Sequence, residues 1–169
     1  MALFGGARDI SLFRNLNYEL LGDIISQQVV YYKHNISKTK TNIYGETTGH
    51  RFFDQPVILF CRITRGDQSN PITDLGVDFD FPMTFSFLRD HMVEANVVPE
   101  VGDVIMYQEN YFEADAVNEN KFFAGKDPLY PYSPNPTNPG LDQFGYNVQF
   151  ELKTHYVPAD KLNIEKIRL

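Results

Sequence analysis

The 169-residue chain carries four histidines, one cysteine and 22 carboxylates, and their spacing bounds the chemistry they could support. His34, His50, His91 and His155 are scattered, with no His-x-His, no His-Glu-x-x-His and no cysteine pair nearby. A zinc or mononuclear iron site would have to be assembled from distant residues. Asp78-Phe79-Asp80, with Asp74 upstream, puts two carboxylates on one side of an extended segment, the donor type a calcium or magnesium ion takes. It lacks the regular spacing of a calcium loop, and solvated acids are the simpler reading. Glu109, Glu113 and Asp115 could serve as acid and base if a cleft gathered them; on a hairpin they read as a solvated edge. The serines show no nucleophile elbow, and Gly125-Lys126-Asp127 lacks the upstream glycine and following hydroxyl of a phosphate loop. Cys61 sits in an apolar run and reads as a small buried hydrophobe. Being single, it rules out an internal disulfide and a cysteine-based zinc site. The expectation is a protein with no catalytic residue, metal or cofactor.

The elements that would position these groups are mostly strands. From Tyr146 to Tyr156 the apolar face Tyr146, Val148, Phe150, Leu152, Thr154, Tyr156 alternates with Asn147, Gln149, Glu151, Lys153 and His155, the pattern of a half-buried strand. Val57 to Thr64 is apolar on both faces up to Arg62, which predicts a central strand with Cys61 pointing with Val57, Leu59 and Ile63. Met83, Phe85 and Phe87 alternate with Thr84 and Ser86, and Val29 to Lys33 is β-branched and aromatic. Val104 to Gln108 and Tyr111 to Val117 predict a hairpin turning at Glu109-Asn110, where asparagine tolerates a positive φ. Helical signal is sparse: a stretch from Ser11 through Leu20 ending at Gly22, a short one over Phe87 to Ala95, and one from Pro158 toward the C-terminus. Residues 125–145 differ in kind, with five of the ten prolines interleaved with tyrosines and asparagines. Proline at that density forbids helix or sheet interior and predicts an extended loop, and its aromatics favour an ordered binding arm over a linker. The fold class expected is mainly β: a partly open β-barrel or sandwich in one domain spanning 1–169, with one to three short helices, an N-terminal helical segment over 1–22 and a long proline-rich loop.

At 19.5 kDa and 43% hydrophobic residues the chain can bury a core without staples. The net charge of −7 argues against a general nucleic-acid binder. From Asp67 to Glu119 there are twelve carboxylates and one base, Arg89, leaving mildly basic flanks around an acidic middle. No run approaches the ~18 apolar residues of a membrane span, and no secretory leader is evident, so no membrane partner and a reducing compartment are expected.

Two stretches are similar to a known family. Val30-Tyr31-Tyr32 followed by Asn42-Ile43-Tyr44-Gly45-Glu46 resembles the paired-tyrosine strand and aromatic-Gly-Glu turn of the neck, or head-completion, proteins of T-even-like contractile-tailed phages. Pro99-Glu100-Val101-Gly102-Asp103-Val104-Ile105-Met106-Tyr107, then Tyr111-Phe112-Glu113-Ala114-Asp115-Ala116-Val117, resembles that family's Gly-Asp hairpin and second strand. Phe122-Phe123 and Asp127-Pro128-Leu129-Tyr130 match the aromatic, proline-bearing stretch that follows. The resemblance implies a non-enzymatic virion protein assembled in the host cytoplasm: a stopper-type, head-closure ring of sixfold symmetry between portal or adaptor proteins and the tail terminator or tail proteins. Genomic DNA would pass through its lumen without specific binding. Two readings stay beside it, a tail or baseplate component and, in another class, a small β-fold glycan binder or hydrolase.

Within the connector reading three residue sets carry the expected contacts. Pro128, Tyr130, Pro131, Tyr132 and Phe144 form the docking arm, rigid area with few torsions to freeze. Glu109, Asn110, Glu113 and Asp115 are the candidates for facing a DNA channel, where acids would repel the polymer and keep it sliding. Lys33, Lys38, Lys40 and Arg51 are the inter-subunit candidates, the basic half of a heterologous contact with the acidic middle of the next copy.

Overall fold

Alternating apolar residues become strands because one face of each can be buried, and here the buried faces enclose a barrel. The computed structural model describes residues 7–39, 43, 51–67, 72–73, 76–77, 81–122, 147–162 and 164. The barrel strands are β1 (Gln28–Tyr32), β2 (Val57–Arg65), β5 (Met83–Leu88), β6 (Val104–Tyr107), β7 (Asn110–Phe122) and β8 (Asn147–Val157); β3 (Ile72–Thr73) and β4 (Gly76–Val77) pair separately. Around the barrel the order is β1, β2, β5, β8, β7, β6, returning to β1, with every neighbouring pair antiparallel. The mainly β expectation holds, with one correction: the barrel is neither partly open nor a sandwich. It is closed, because β1 pairs on both sides, Val29 with Leu59 of β2 and Tyr31 with Ile105 of β6.

The interior takes the alternate residues that the sequence pattern marks out. Val29, Tyr31, Leu59, Cys61, Met83, Phe85, Phe87, Ile105, Phe112, Phe150 and Leu152 form one core, with Val57 and Ile63 packed against it. Cys61 is fully buried, and burial pushes its thiol up to about 12, which makes it the inert hydrophobe that its position in an apolar strand implies. Phe85 and Phe112 meet at a tilt with ring centroids 5.6 Å apart, and Tyr31 meets Phe87 edge-on at 6.0 Å. A second cluster lies outside the wall: Val30, Tyr32, Val104, Met106, Tyr111 and Val157 are covered by Leu162 and Ile164 of the C-terminal segment and by Phe53.

Helices cap and flank this barrel. α2 (Arg89–Glu94) follows β5 directly and sends Met92 into the core. It stops in a Schellman arrangement, with Asn96 at φ +53°, Asn96 N–H donating to Val93 O and Val97 N–H to Met92 O. α1 (Ala7–Glu19) starts earlier than Ser11 and does not end at Gly22. It runs into a π-helical turn, Leu20–Ile25, closed by Ser26 N–H on Leu21 O at 3.0 Å, and Ser26, at φ +47°, is the residue that takes the left-handed stop. After Pro158 the chain makes a short 3-10 turn, Ala159–Lys161.

The β6–β7 turn differs from its sequence reading by one residue. Gln108 and Glu109 hold φ of +49° and +65°, the two positive values of a type I′ hairpin. Asn110 is already in the strand opposite Tyr107, and its side-chain amide donates to Gln108 O at 3.2 Å. A left-handed conformation costs a residue with a Cβ roughly 1–2 kcal/mol. Glu109→Gly is therefore expected to raise the unfolding free energy by about 1 kcal/mol in urea melts at unchanged m; a loss of stability would show that the Glu109 side chain holds the turn.

Candidate functional site

The Gly-Asp step before β6 makes a buried junction. Gly102, at φ +91°, turns the chain so that its N–H reaches Ala114 O at 2.9 Å, and a Cβ there would lie 3.6 Å from His34 Nδ1. The next residue, Asp103, is fully enclosed. An ionised carboxylate in the interior persists only when donors surround it, and four do. Tyr31 donates its hydroxyl to Oδ2 in a short hydrogen bond. His34 N–H reaches Oδ1 at 2.8 Å, Glu100 N–H reaches Oδ2 at 2.8 Å, and Lys33 Nζ reaches Oδ2 at 3.1 Å. Burial raises the Tyr31 phenol far above its ordinary value, and the Asp103 charge adds to the effect.

Two of the inter-subunit candidates, Lys33 and Arg51, lie at or near this junction. Lys33 also donates to Val98 O and Glu100 Oε2, each at 2.8 Å. Arg51 Nη1 meets Glu113 Oε1 at 2.5 Å. Two basic-flank residues thus find their acidic partners within their own chain. Lys38 is the more exposed cation, 3.4 Å from Asp54; the Asn35 amide, and then Lys38, hold that carboxyl below its usual range. Lys40 lies outside the described residues.

The channel-facing candidates separate. Glu109 is at the exposed tip of the β6–β7 turn, with Asn110 beside it. Glu113 lies along the wall on Arg51, and Asp115 projects from a bulge where β7 steps from Ala114 opposite Thr154 to Ala116 opposite Lys153. The bulge re-aims its side chain toward His155 Nδ1, 2.7 Å away. The three acids therefore have three different settings rather than one cleft. Among the described residues no three His, Cys, Asp or Glu side chains group as a metal site, and no helix is long and apolar enough to cross a membrane. Asp74, Asp78 and Asp80 lie outside the described residues, as do Pro128, Tyr130, Pro131, Tyr132 and Phe144.

The strand ends on either side of the expected docking arm are among the described residues, and residues 123–146 are not. β7 and β8 are adjacent and antiparallel, and Phe122 pairs with Asn147, so residues 123–146 join two strands that a two-residue turn could connect. The barrel does not require that insertion. It leaves from the barrel end where Tyr32 pairs with Val104 and Leu88 with Gln149, the end that carries α2 and the Asp103 junction. The Glu109 tip is at the opposite end, level with Val157.

Sequence reasoning passes over Asp103 as one acid among twelve. A usable signal was its place between a glycine and a strand, Val104–Tyr107, buried on both faces. It also misses Arg89, which α2 buries with its guanidinium 4.4 Å over the Phe150 ring and 3.8 Å from Glu119, and which burial brings down to about 10.

Tyr31→Phe should cost about 1–2 kcal/mol, the scale of one buried hydrogen bond. Asp103→Ala, which removes the acceptor of all four donors, should cost about 3–5 kcal/mol. Urea unfolding checks both; equal losses would mean that the Tyr31 hydroxyl is the whole of the junction.

Stability should also fall with acid. Burial holds His91 below 6.5, with Glu94 opposing, and burial followed by the Arg51 charge does the same to His34. Below that pH the unfolded chain binds protons that the folded chain refuses, so unfolding becomes easier as pH drops. The urea midpoint should decline from about pH 7 to about pH 5, and a His34→Gln, His91→Gln double variant should decline less steeply; parallel curves would refute the assignment.

No protein-family model matches the chain, and no curated protein matches it. Among solved structures the chain is similar to one described as the virion of a native gene transfer agent particle, at 13% identity and a TM-score of 0.46, covering 78% of this chain and 94% of that one.

Proposed function

We propose that this protein is a structural component of a phage-like virion and, within it, a head-to-tail connector subunit of the neck. One observation carries the reading. The paired-tyrosine strand and the Gly-Asp hairpin, two sequence stretches that resemble neck proteins, pair as β1 and β6 and are tied by a buried hydrogen bond from Tyr31 to Asp103, 72 residues apart. They are one constellation, built by the residues through which the resemblance runs.

The barrel also has the anatomy that the role needs. Its interior is packed with side chains, so its contacts with other molecules fall to its surface. One end offers the acidic Glu109 turn as a candidate lumen-facing element, since duplex DNA, with about one charge per 1.7 Å, is repelled by acids. The other roots the proline- and tyrosine-rich segment, the candidate contact with the tail side or the next subunit. In this reading several copies form a ring, portal or adaptor proteins lie on the head side and tail proteins on the other.

Changing Tyr130 and Tyr132 together to alanine tests the role. The β7–β8 ladder runs up to Phe122 and Asn147 without that segment, so the isolated variant should melt as the wild type does. Particles carrying it should accumulate filled heads that do not join tails, visible by electron microscopy. Normal infectious particles, or an unfolded isolated variant, would overturn the docking role. Cryo-EM density for the chain in a baseplate instead of a neck would replace the connector reading.

A further inference from the structure

α1 and the π-helical turn that follows it are arranged inside out. A helix on a globular protein usually turns its apolar stripe to the core and its polar residues to water. Here polar side chains make the attachment. Arg14 forms a two-pronged ion pair with Asp90 of α2, its Nε 2.9 Å from Oδ2. The Tyr18 hydroxyl, one turn on, donates to Glu94 Oε2 at 3.1 Å, while its ring lies edge-on to His91. Leu12, Leu16, Leu20 and Ile24, spaced by four, are 66%, 58%, 41% and 75% exposed. The wider π turn winds less per residue than an α-helix, so Ile24 stays on the side of Leu16 and Leu20. Single exposed aliphatics are ordinary; a row along one helix marks a contact surface.

A second set of exposed apolar side chains, Ile36, Phe52, Val98 and Val101, projects from the segments tied to the Asp103 junction. Asn35 N–H bonds to Phe52 O at 2.8 Å and Lys33 Nζ to Val98 O at 2.8 Å. The two surfaces are flanked by opposite charge. Glu19 and Asp23 are exposed beside the leucine row, whereas Lys38, its side chain 61% exposed, and Arg51 flank the second patch.

We propose that the Leu12, Leu16, Leu20, Ile24 row of one copy seats on the Ile36, Phe52, Val98, Val101 patch of a second copy of this chain, with Glu19 and Asp23 toward Lys38. The two patches are different, so the contact is heterologous: each copy gives one and receives the other, and the contact repeats until a ring closes. It deepens the ring reading by naming the surfaces. The acidic half of the contact comes from the α1 region, because Glu113 and Glu100 are already engaged with Arg51 and Lys33 inside the chain.

Cross-linking of the full chain tests this. Leu16→Cys and Val101→Cys are combined in one protein, where buried Cys61 stays silent, and treated with a short bis-maleimide. The expected product is a ladder of covalent oligomers from the double variant and none from either single variant. Leu20→Glu added to the double variant should lower the ladder about tenfold or more. Lys38→Glu should lower it about threefold, the scale of an exposed ion pair, and Asp23→Lys added to it should restore the yield. Dimers from Leu16→Cys alone would mean α1 packing on α1, and cross-links from Leu16→Cys to another virion protein would name a different occupant; either overturns the proposal. So does the absence of a ladder when the variants melt like the wild type. A ladder from a protein that cryo-EM does not find in the neck would keep this contact and remove the connector reading, and a neck location without a ladder would do the reverse.

Discussion

Asp103 must be surrounded by donors, and meeting that requirement fixes the one seam on which barrel closure depends. Taking a carboxylate out of water costs several kcal/mol even after relaxation. The donors that offset it come from the end of β1, namely Tyr31, Lys33 and His34, and from the loop before β6, namely Glu100. β1 and β6 pair over only Val30–Tyr32 and Val104–Met106, a short ladder to close a ring of six strands. Without it the remaining strands would form an open sheet with two free edges, which invite association with other chains. The buried carboxylate sits where that ladder ends and ties its two strands together. Gly102 completes the device, since its left-handed turn delivers Asp103 to the strand end.

The same junction organises the charge distribution. A chain with an acidic middle and basic flanks can use the asymmetry between molecules or within one. Lys33 on Glu100 and Asp103, and Arg51 on Glu113, use it within the chain, where a covalent connection makes the partner local. What is left for neighbours is the periphery: Lys38 on one side, Glu19 and Asp23 on another. Exposed pairs of this kind add little affinity but reject wrong pairings and set orientation.

Period-two alternation made β5 and β8 legible because each has one face in the core; β2 was legible as a run apolar on both faces, of which the set Val57, Leu59, Cys61, Ile63 is the one the structure buries or packs while Ile58 is exposed. Short-range turn chemistry was nearly legible. The sequence pointed to Asn110 for a positive φ, whereas Gln108 and Glu109 adopt it, because Tyr107 and Asn110 pair and the turn must lie between them. Barrel closure was not legible, since it rests on pairing between residues some seventy positions apart. Nor was Asp103, whose neighbours in sequence look like surface. The α1 helix was visible as a period, but which of its faces meets the barrel depends on Asp90 and Glu94, and no pattern within the helix reports them.

That orientation has a thermodynamic consequence. Among the described residues the attachments of α1 include an ion pair with both partners partly exposed, a tyrosine hydroxyl bond at the surface and an edge-on ring contact. Exposed ion pairs contribute ~0–1 kcal/mol each, and along the π turn only Leu21 is buried. Ordering a helix of thirteen residues costs far more than that in backbone entropy, at ~1–2 kcal/mol per residue, and helix propagation alone offsets it only marginally at this length. The helix therefore belongs to the part of the molecule that opens at low free energy, while the aromatic barrel opens only globally. Burying the leucine row against a neighbour would add ~1.5–3 kcal/mol per fully buried side chain. In the proposed ring, assembly and the ordering of α1 would be coupled: polar contacts hold the direction of the helix in the isolated subunit, and a neighbour would supply the apolar burial that makes the arrangement stable.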